Sequence, residues 1–169
     1  MIGQIRGILI HKQPPHILVD VQGVAYEVEA TMTTFYKLPD TNVEVTIFTH
    51  LVIRDDAHLL FGFATQEERT MFRTLIKVNG VGAKMALTIL SGMEADVFVR
   101  CIRDGDADSL VRLPGVGKKT AERLIIEMRD RLKDWELSDA VSSESSSTAK
   151  PGNNQSDDAV SALVGLGYK

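Results

Sequence analysis

One nine-residue segment occurs twice in this chain, and the repeat restricts the possible folds more than any other feature. Val78-Asn79-Gly80-Val81-Gly82-Ala83-Lys84-Met85-Ala86 aligns with Leu113-Pro114-Gly115-Val116-Gly117-Lys118-Lys119-Thr120-Ala121 at an offset of 35 residues. Apolar pairs flank both copies, Leu75-Ile76 and Ile89-Leu90 around the first, Leu110-Val111 and Leu124-Ile125 around the second. A short unit that recurs between apolar helical patterns is one helix–turn–helix element used twice. Glycines at both ends of each turn permit positive φ and remove side chains that would block a close neighbour. The valine between them is placed to anchor the turn between the two helices.

The turn runs straight into a helix, whose first N–H groups lack internal partners and carry the positive end of the dipole. That is a seat for phosphate. Lys84 and Lys119 fall in the first turn of their helices, where the dipole disfavours a cation and a bound anion would justify one. Arg123, one turn beyond Lys119, extends the same face. The candidate phosphate-contacting residues are therefore Asn79, Gly80, Val81, Gly82 and Lys84 in the first copy. In the second they are Gly115, Val116, Gly117, Lys118, Lys119 and Arg123. A single copy is explained equally well as a tight interhelical turn with a glycine cap. Two copies with a lysine at the same place favour the seat. Contacts of this kind position a protein on DNA without reading bases.

The net charge of −4 argues against a DNA partner until the chain is divided. Residues 1–65 carry −3, residues 66–133 carry +3 and residues 134–169 carry −4. The basic middle coincides with the repeat. Cys101 is the only cysteine, which excludes an internal disulfide and a cysteine-based zinc site. His11, His16, His50 and His58 show no ligand spacing, and neither a cofactor nor a metal is expected. No run of 18 apolar residues and no signal-peptide layout is present, so a cytoplasmic protein is expected.

Upstream of the repeat, Ile2–Ile10, Ile17–Val21, Val24–Ala30, Val43–Ile53 and Leu59–Phe63 are β-branched or alternating runs. Gln22-Gly23 marks a tight turn, and Pro14-Pro15 and Leu38-Pro39-Asp40 mark loops. Five short strands in so little chain suit a small OB-like β-barrel, because an open sheet would leave edges exposed. At Thr65 the pattern becomes helical, opening with Thr65 and Glu68 as a capping box. Residues 138–156 are too polar to form a core and read as a flexible linker. Val160, Leu163 and Val164 then suggest one short helix. The expected organisation is a multi-domain α+β chain: a barrel over 1–64, an all-α tandem helix-hairpin-helix domain over 65–137, a linker over 138–156, and the start of a further helical domain over 157–169.

Leu113-Pro114-Gly115-Val116-Gly117-Lys118-Lys119-Thr120-Ala121-Glu122-Arg123-Leu124 resembles the second helix-hairpin-helix of the RuvA family, the Holliday-junction-binding subunits of the bacterial branch migration complex. Met1-Ile2-Gly3, Gly23-Val24-Ala25-Tyr26-Glu27-Val28, Phe48-Thr49-His50, Leu60-Phe61-Gly62-Phe63 and Lys77-Val78-Asn79-Gly80-Val81-Gly82 are similar in the same order. Ala162–Tyr168 resembles the opening of the family's third domain. The resemblance implies an OB-like barrel, a tandem helix-hairpin-helix domain and a mobile three-helix domain. It implies a homotetramer holding a four-way junction open and planar, with one or two tetramers on the DNA. It also implies the RuvB hexameric ATPase as a partner through the third domain, the RuvC resolvase as a further one, and no catalytic site. Arg54-Asp55-Asp56-Ala57 coincides with the family's acidic pin, placing Asp55 and Asp56 at the junction centre. Read without the resemblance, that segment is a solvated acidic turn.

A helix-hairpin-helix enzyme is the main alternative. DNA glycosylases use a similar hairpin followed some 20 residues later by a catalytic aspartate, and Asp134 and Asp139 stand near that distance. The enlarged helical domain that would form a base pocket is missing from the pattern, as is a nuclease core. Asp104, Asp106 and Asp108 read as helix caps, and Cys101 as a small core residue.

Overall fold

Alternating apolar side chains build the N-terminal part of the chain into one closed sheet. The computed structural model describes residues 1–143, with side chains through Leu132. Strands β1 (Gln4–Gln13), β2 (His16–Val21), β3 (Val24–Ala30), β4 (Glu44–Ile53) and β5 (His58–Phe63) close in the order β1-β2-β3-β5-β4. β1 pairs antiparallel with both β2 and β4, while β3 and β5 meet in parallel to complete the barrel. Leu9, Ile17, Val19, Val28 and Ile47 fill its interior. The expected barrel is present, and β1 runs farther than expected, through Gln13, because a register shift between Leu9 and His11 lets it bend and stay paired. Gln22 and Gly23 both take positive φ, 54° and 91°, the geometry of a primed hairpin turn. Asp20 steadies it by accepting from the Gly23 N–H at 2.8 Å.

Between β3 and β4 lies a helix that propensity does not suggest, α1 (Met32–Lys37). Its threonines are poor helix formers, but Thr31 caps it by accepting from the Thr34 N–H at 3.1 Å. Leu38 precedes a proline and is extended, which ends the helix. The hydroxyls of Thr31, Thr33 and Thr34 converge on one carboxylate, that of Glu68 in helix α2 (Gln66–Leu75). The capping box is thus only half formed. Thr65 accepts from the Glu68 N–H at 3.2 Å, but the Glu68 side chain turns inward to α1 and is buried. Three hydroxyl donors satisfy a buried carboxylate better than the single backbone N–H that the box offers.

α2 is followed by α3 (Ala83–Gly92), α4 (Ala95–Asp104), α5 (Ala107–Val111) and α6 (Lys118–Ser143). Met1–Lys133 form one compact unit. Phe72 of α2 explains the union: its ring lies 5.2 Å from Phe61, 4.9 Å from Phe63 and 5.5 Å from His50, all on barrel strands. Burying such rings contributes about 1.5–3 kcal/mol each. Arg73 donates to Nδ1 of His50 at 3.2 Å. Burial first, then Arg73 and Arg69, hold that imidazole below its ordinary pKa. α6 continues through Ser143, past Ser138 where the sequence pattern places the start of the linker. The rest of that linker, and the short helix expected within 157–169, lie outside the described residues.

Candidate nucleic-acid interface

The two repeated segments fold alike, bond for bond. In the first, Val78 N–H donates to Leu75 O, Val81 N–H to Val78 O and Ala86 N–H to Gly82 O, at 3.0, 3.0 and 2.9 Å. In the second, Leu113, Val116 and Ala121 repeat these bonds to Leu110, Leu113 and Gly117 at 3.1, 3.1 and 2.9 Å. Gly80 and Gly115 take φ of 84° and 80°. Val81 and Val116 are buried, with their N–H groups engaged within the turns, so they anchor the hairpins and cannot present side chains to DNA. Asn79, Gly80, Gly82, Lys84, Gly115, Gly117, Lys118, Lys119 and Arg123 are exposed.

The second glycine of each pair departs from expectation. Gly82 has φ −85° and ψ 169°, extended backbone open to any residue, and only the first glycine of each pair is among those with positive φ. A Cβ built on Gly82 or Gly117 meets nothing within 4 Å. The fold therefore does not need glycine there for conformation or for packing. Gly82 is the N-cap of α3, and no side chain caps that helix. A serine or aspartate would cap it better, but would occupy the N–H groups that glycine leaves to an outside ligand.

Charge placement at the helix starts points the same way. α2, α4 and α5 carry acidic residues in their first turns, Glu67 and Glu68, Asp96 and Asp108 respectively, as the dipole favours. α3 and α6 carry none, and Lys84, Lys118 and Lys119 stand there instead. The short α1 also lacks an acid in its first turn, but only α3 and α6, the two helices that follow the glycine turns, place lysine there. Arg123 does more than extend the face: its Nη1 crosses to the first hairpin and donates to Asn79 O at 3.2 Å. That cross-link, 44 residues apart in sequence, has no local signal.

Asp55 and Asp56 are exposed at the tip of the β4–β5 hairpin, where Arg54 N–H donates to Ala57 O at 2.8 Å. Asp106 caps α5 by accepting from Ser109 N–H at 3.0 Å, and bonding to Ser109 lowers its pKa. Cys101 is half-buried, and burial raises its thiol pKa. Among the described residues, no group of three or more His, Cys, Asp or Glu is placed to hold a metal ion. No described helix is long and apolar enough to cross a membrane. The side chains of Asp134 and Asp139, on which a glycosylase reading would depend, lie outside the described residues.

Residues 1–62 match the RuvA N terminal domain, and residues 72–130 match the SAM-like helix-hairpin-helix tandem. The Holliday junction branch migration complex subunit RuvA of Thioalkalivibrio sulfidiphilus (strain HL-EbGR7) is 59% identical, aligned over 100% of this chain and 85% of its own length. The subunit of the same name from Nitrosococcus oceani is 58% identical over the same shares, and that from Pseudomonas entomophila (strain L48) is 56% identical over 100% and 84%.

Proposed function

This chain belongs to the RuvA family, and from that premise we propose that it is a non-catalytic subunit that grips four-way junction DNA for a branch migration motor. Two phosphate seats per chain do the gripping. One is built on Asn79, Gly80, Gly82 and Lys84, with Val81 as its anchor. The other is built on Gly115, Gly117, Lys118 and Lys119, with Val116 as its anchor. Four copies around a centre present the arms with equivalent surfaces and hold them open. RuvB engages the region beyond the linker, and RuvC works on the junction so held.

The observation that carries this reading is the pair of glycines the fold does not require, each followed by lysine at a helix start that should favour acid. Free N–H groups, an absent side chain and a misplaced cation are jointly explained by a bound phosphate. The test is junction binding measured across salt concentrations. Lys84→Ala and Lys119→Ala should each weaken binding irrespective of DNA sequence, and should flatten the log–log salt slope by roughly 0.9 for each phosphate no longer neutralised. Gly82→Ala and Gly117→Ala should weaken binding with a melting temperature lower by only a few degrees, since alanine costs about 0.5–1 kcal/mol relative to glycine at such a cap. Light scattering on the same complexes should count four copies, or eight. Full junction affinity in the lysine double variant would sink the proposal.

Asp55 and Asp56 are proposed as the pin at the crossover, acting by charge. Carboxylates facing phosphates raise the energy of bound DNA, so their removal should not weaken the grip. Asp55→Asn with Asp56→Asn should keep or raise junction affinity and narrow the preference for a junction over plain duplex. A several-fold loss of junction affinity in a folded variant would mean the carboxylates are attractive or structural.

A further inference from the structure

Helix α6 begins at the second hairpin and lays arginines across the backbone of the first. Arg123 Nη1 donates to Asn79 O at 3.2 Å, and Arg131 Nη2 donates to Lys77 O at 3.4 Å. The first turn spends Val78 O on its own Val81 N–H, so these two arginines take the carbonyls on either side of Val78. A Cβ built on Gly80 would lie 3.4 Å from Arg123 Nη1, which places the guanidinium against the glycine that shapes the first seat. A second contact joins the repeats from the other end. Gly92, the last residue of α3, packs so closely on Leu113 that a Cβ there would sit 2.5 Å from its Cδ2.

We propose that Arg123 is a positioning residue that couples the two hairpins, holding the Asn79–Gly80 turn at a fixed place relative to the helix that forms the second seat. The inference rests on the reading of both hairpins as phosphate seats. Phosphates along a strand have a set spacing, so two seats act together only if their separation is set before DNA arrives. Val81 and Val116 anchor the turns, but Asn79, Gly80 and Gly115 are exposed and the main-chain bonds of each turn are short-range, so a guanidinium on a carbonyl supplies a cross-link that neither turn contains. Arg123 then contributes to affinity through Lys84 and its neighbours, and not as one more cation on the DNA.

The experiment is a set of double-variant cycles on the full chain with four-way junction DNA, read by fluorescence anisotropy at several salt concentrations. Arg123→Ala should reduce affinity about three- to tenfold and lower the salt slope only through the phosphate of Lys84, so that adding it to Lys84→Ala lowers the slope no further. In that background the fold-loss caused by Lys84→Ala should shrink at least about threefold, while that caused by Lys119→Ala, on α6 itself, stays as it was. Arg123→Gln keeps much of the aliphatic stem and carries the same comparison should the alanine variant melt early. A slope that falls by roughly a further 0.9 per bound copy when Arg123→Ala is added to Lys84→Ala would make Arg123 a direct phosphate ligand and overturn the proposal. Strictly additive losses, or unchanged affinity, would overturn it too. Silent lysine variants in the native background would instead bring down the seats themselves, a separate failure visible in the same data.

Discussion

Gly7→Ala should stop the barrel from closing. A Cβ at this position would sit 2.0 Å from the carbonyl oxygen of Asp20 and 3.0 Å from Cγ2 of Val21. The first of these is backbone, so no rotamer change relieves the clash. Strand β2 would have to move off β1, whose pairing with both β2 and β4 holds the cylinder together. Overpacking costs about 1–3 kcal/mol even where side chains can yield, and a backbone obstacle belongs at or above the top of that range. Thermal denaturation followed by circular dichroism should show a melting temperature lower by at least about 6 °C, or no soluble protein. Gly23→Ala provides the control: φ is 91° but nothing lies within 4 Å, so only backbone strain of about 1 kcal/mol is added. Equal melting temperatures for the two variants would show that β1 and β2 can part at no cost, against this account of the barrel.

Glu68→Ala should produce the second large loss. The carboxylate is buried where α1 meets α2, and it gathers the hydroxyls of Thr31, Thr33 and Thr34. Thr34 is also tied to the chain between barrel and helices, accepting from Ala64 N–H at 2.9 Å. Removing the carboxylate takes the acceptor from the Thr31 and Thr34 hydroxyls, leaves Thr33 only Leu90 O and Thr31 Oγ1, at 3.1 and 2.9 Å, and opens a void beside them. A charged acceptor bond is worth about 1.5–3 kcal/mol, and relief of the buried charge offsets part of the total, leaving about 2–4 kcal/mol. The melting temperature should drop by about 10 °C. Glu68→Gln keeps an acceptor and nearly the same volume, so it should lose about half as much. If alanine and glutamine variants melt together, the hydroxyl bonds contribute little and only packing matters.

The contrast between these two sites marks what the sequence can disclose. The strands are readable because inward residues such as Leu9, Val19 and Val28 alternate with outward ones, and Gln22-Gly23 has the composition its turn demands. The hairpins are readable because they occur twice. α1 is not, since Thr33 and Thr34 favour strand or turn and are held in the helix, with Thr31 as its cap, by a carboxylate more than thirty residues away. Glu68 reads as half of a capping box for the same reason: the local rule captures its N–H and misses its side chain. In the candidate site, residue types and spacing locate the proposed seats but give both glycines one task. The backbone separates them, a positive φ at Gly80 and an unfilled approach at Gly82. Arg123 reads as a neighbour of Lys119 on one face, and its bond to Asn79 requires the tertiary fold.

A grip made from main-chain N–H groups at helix starts contains no letters. It meets the one part of DNA that is the same at every nucleotide, and so has no preferred register to be dragged out of. On the proposed reading of the hairpins, this makes the protein a bearing for a junction whose crossover must travel. Each step of one base pair would present the proposed seats with what they held before, and no sequence along the way would act as a brake.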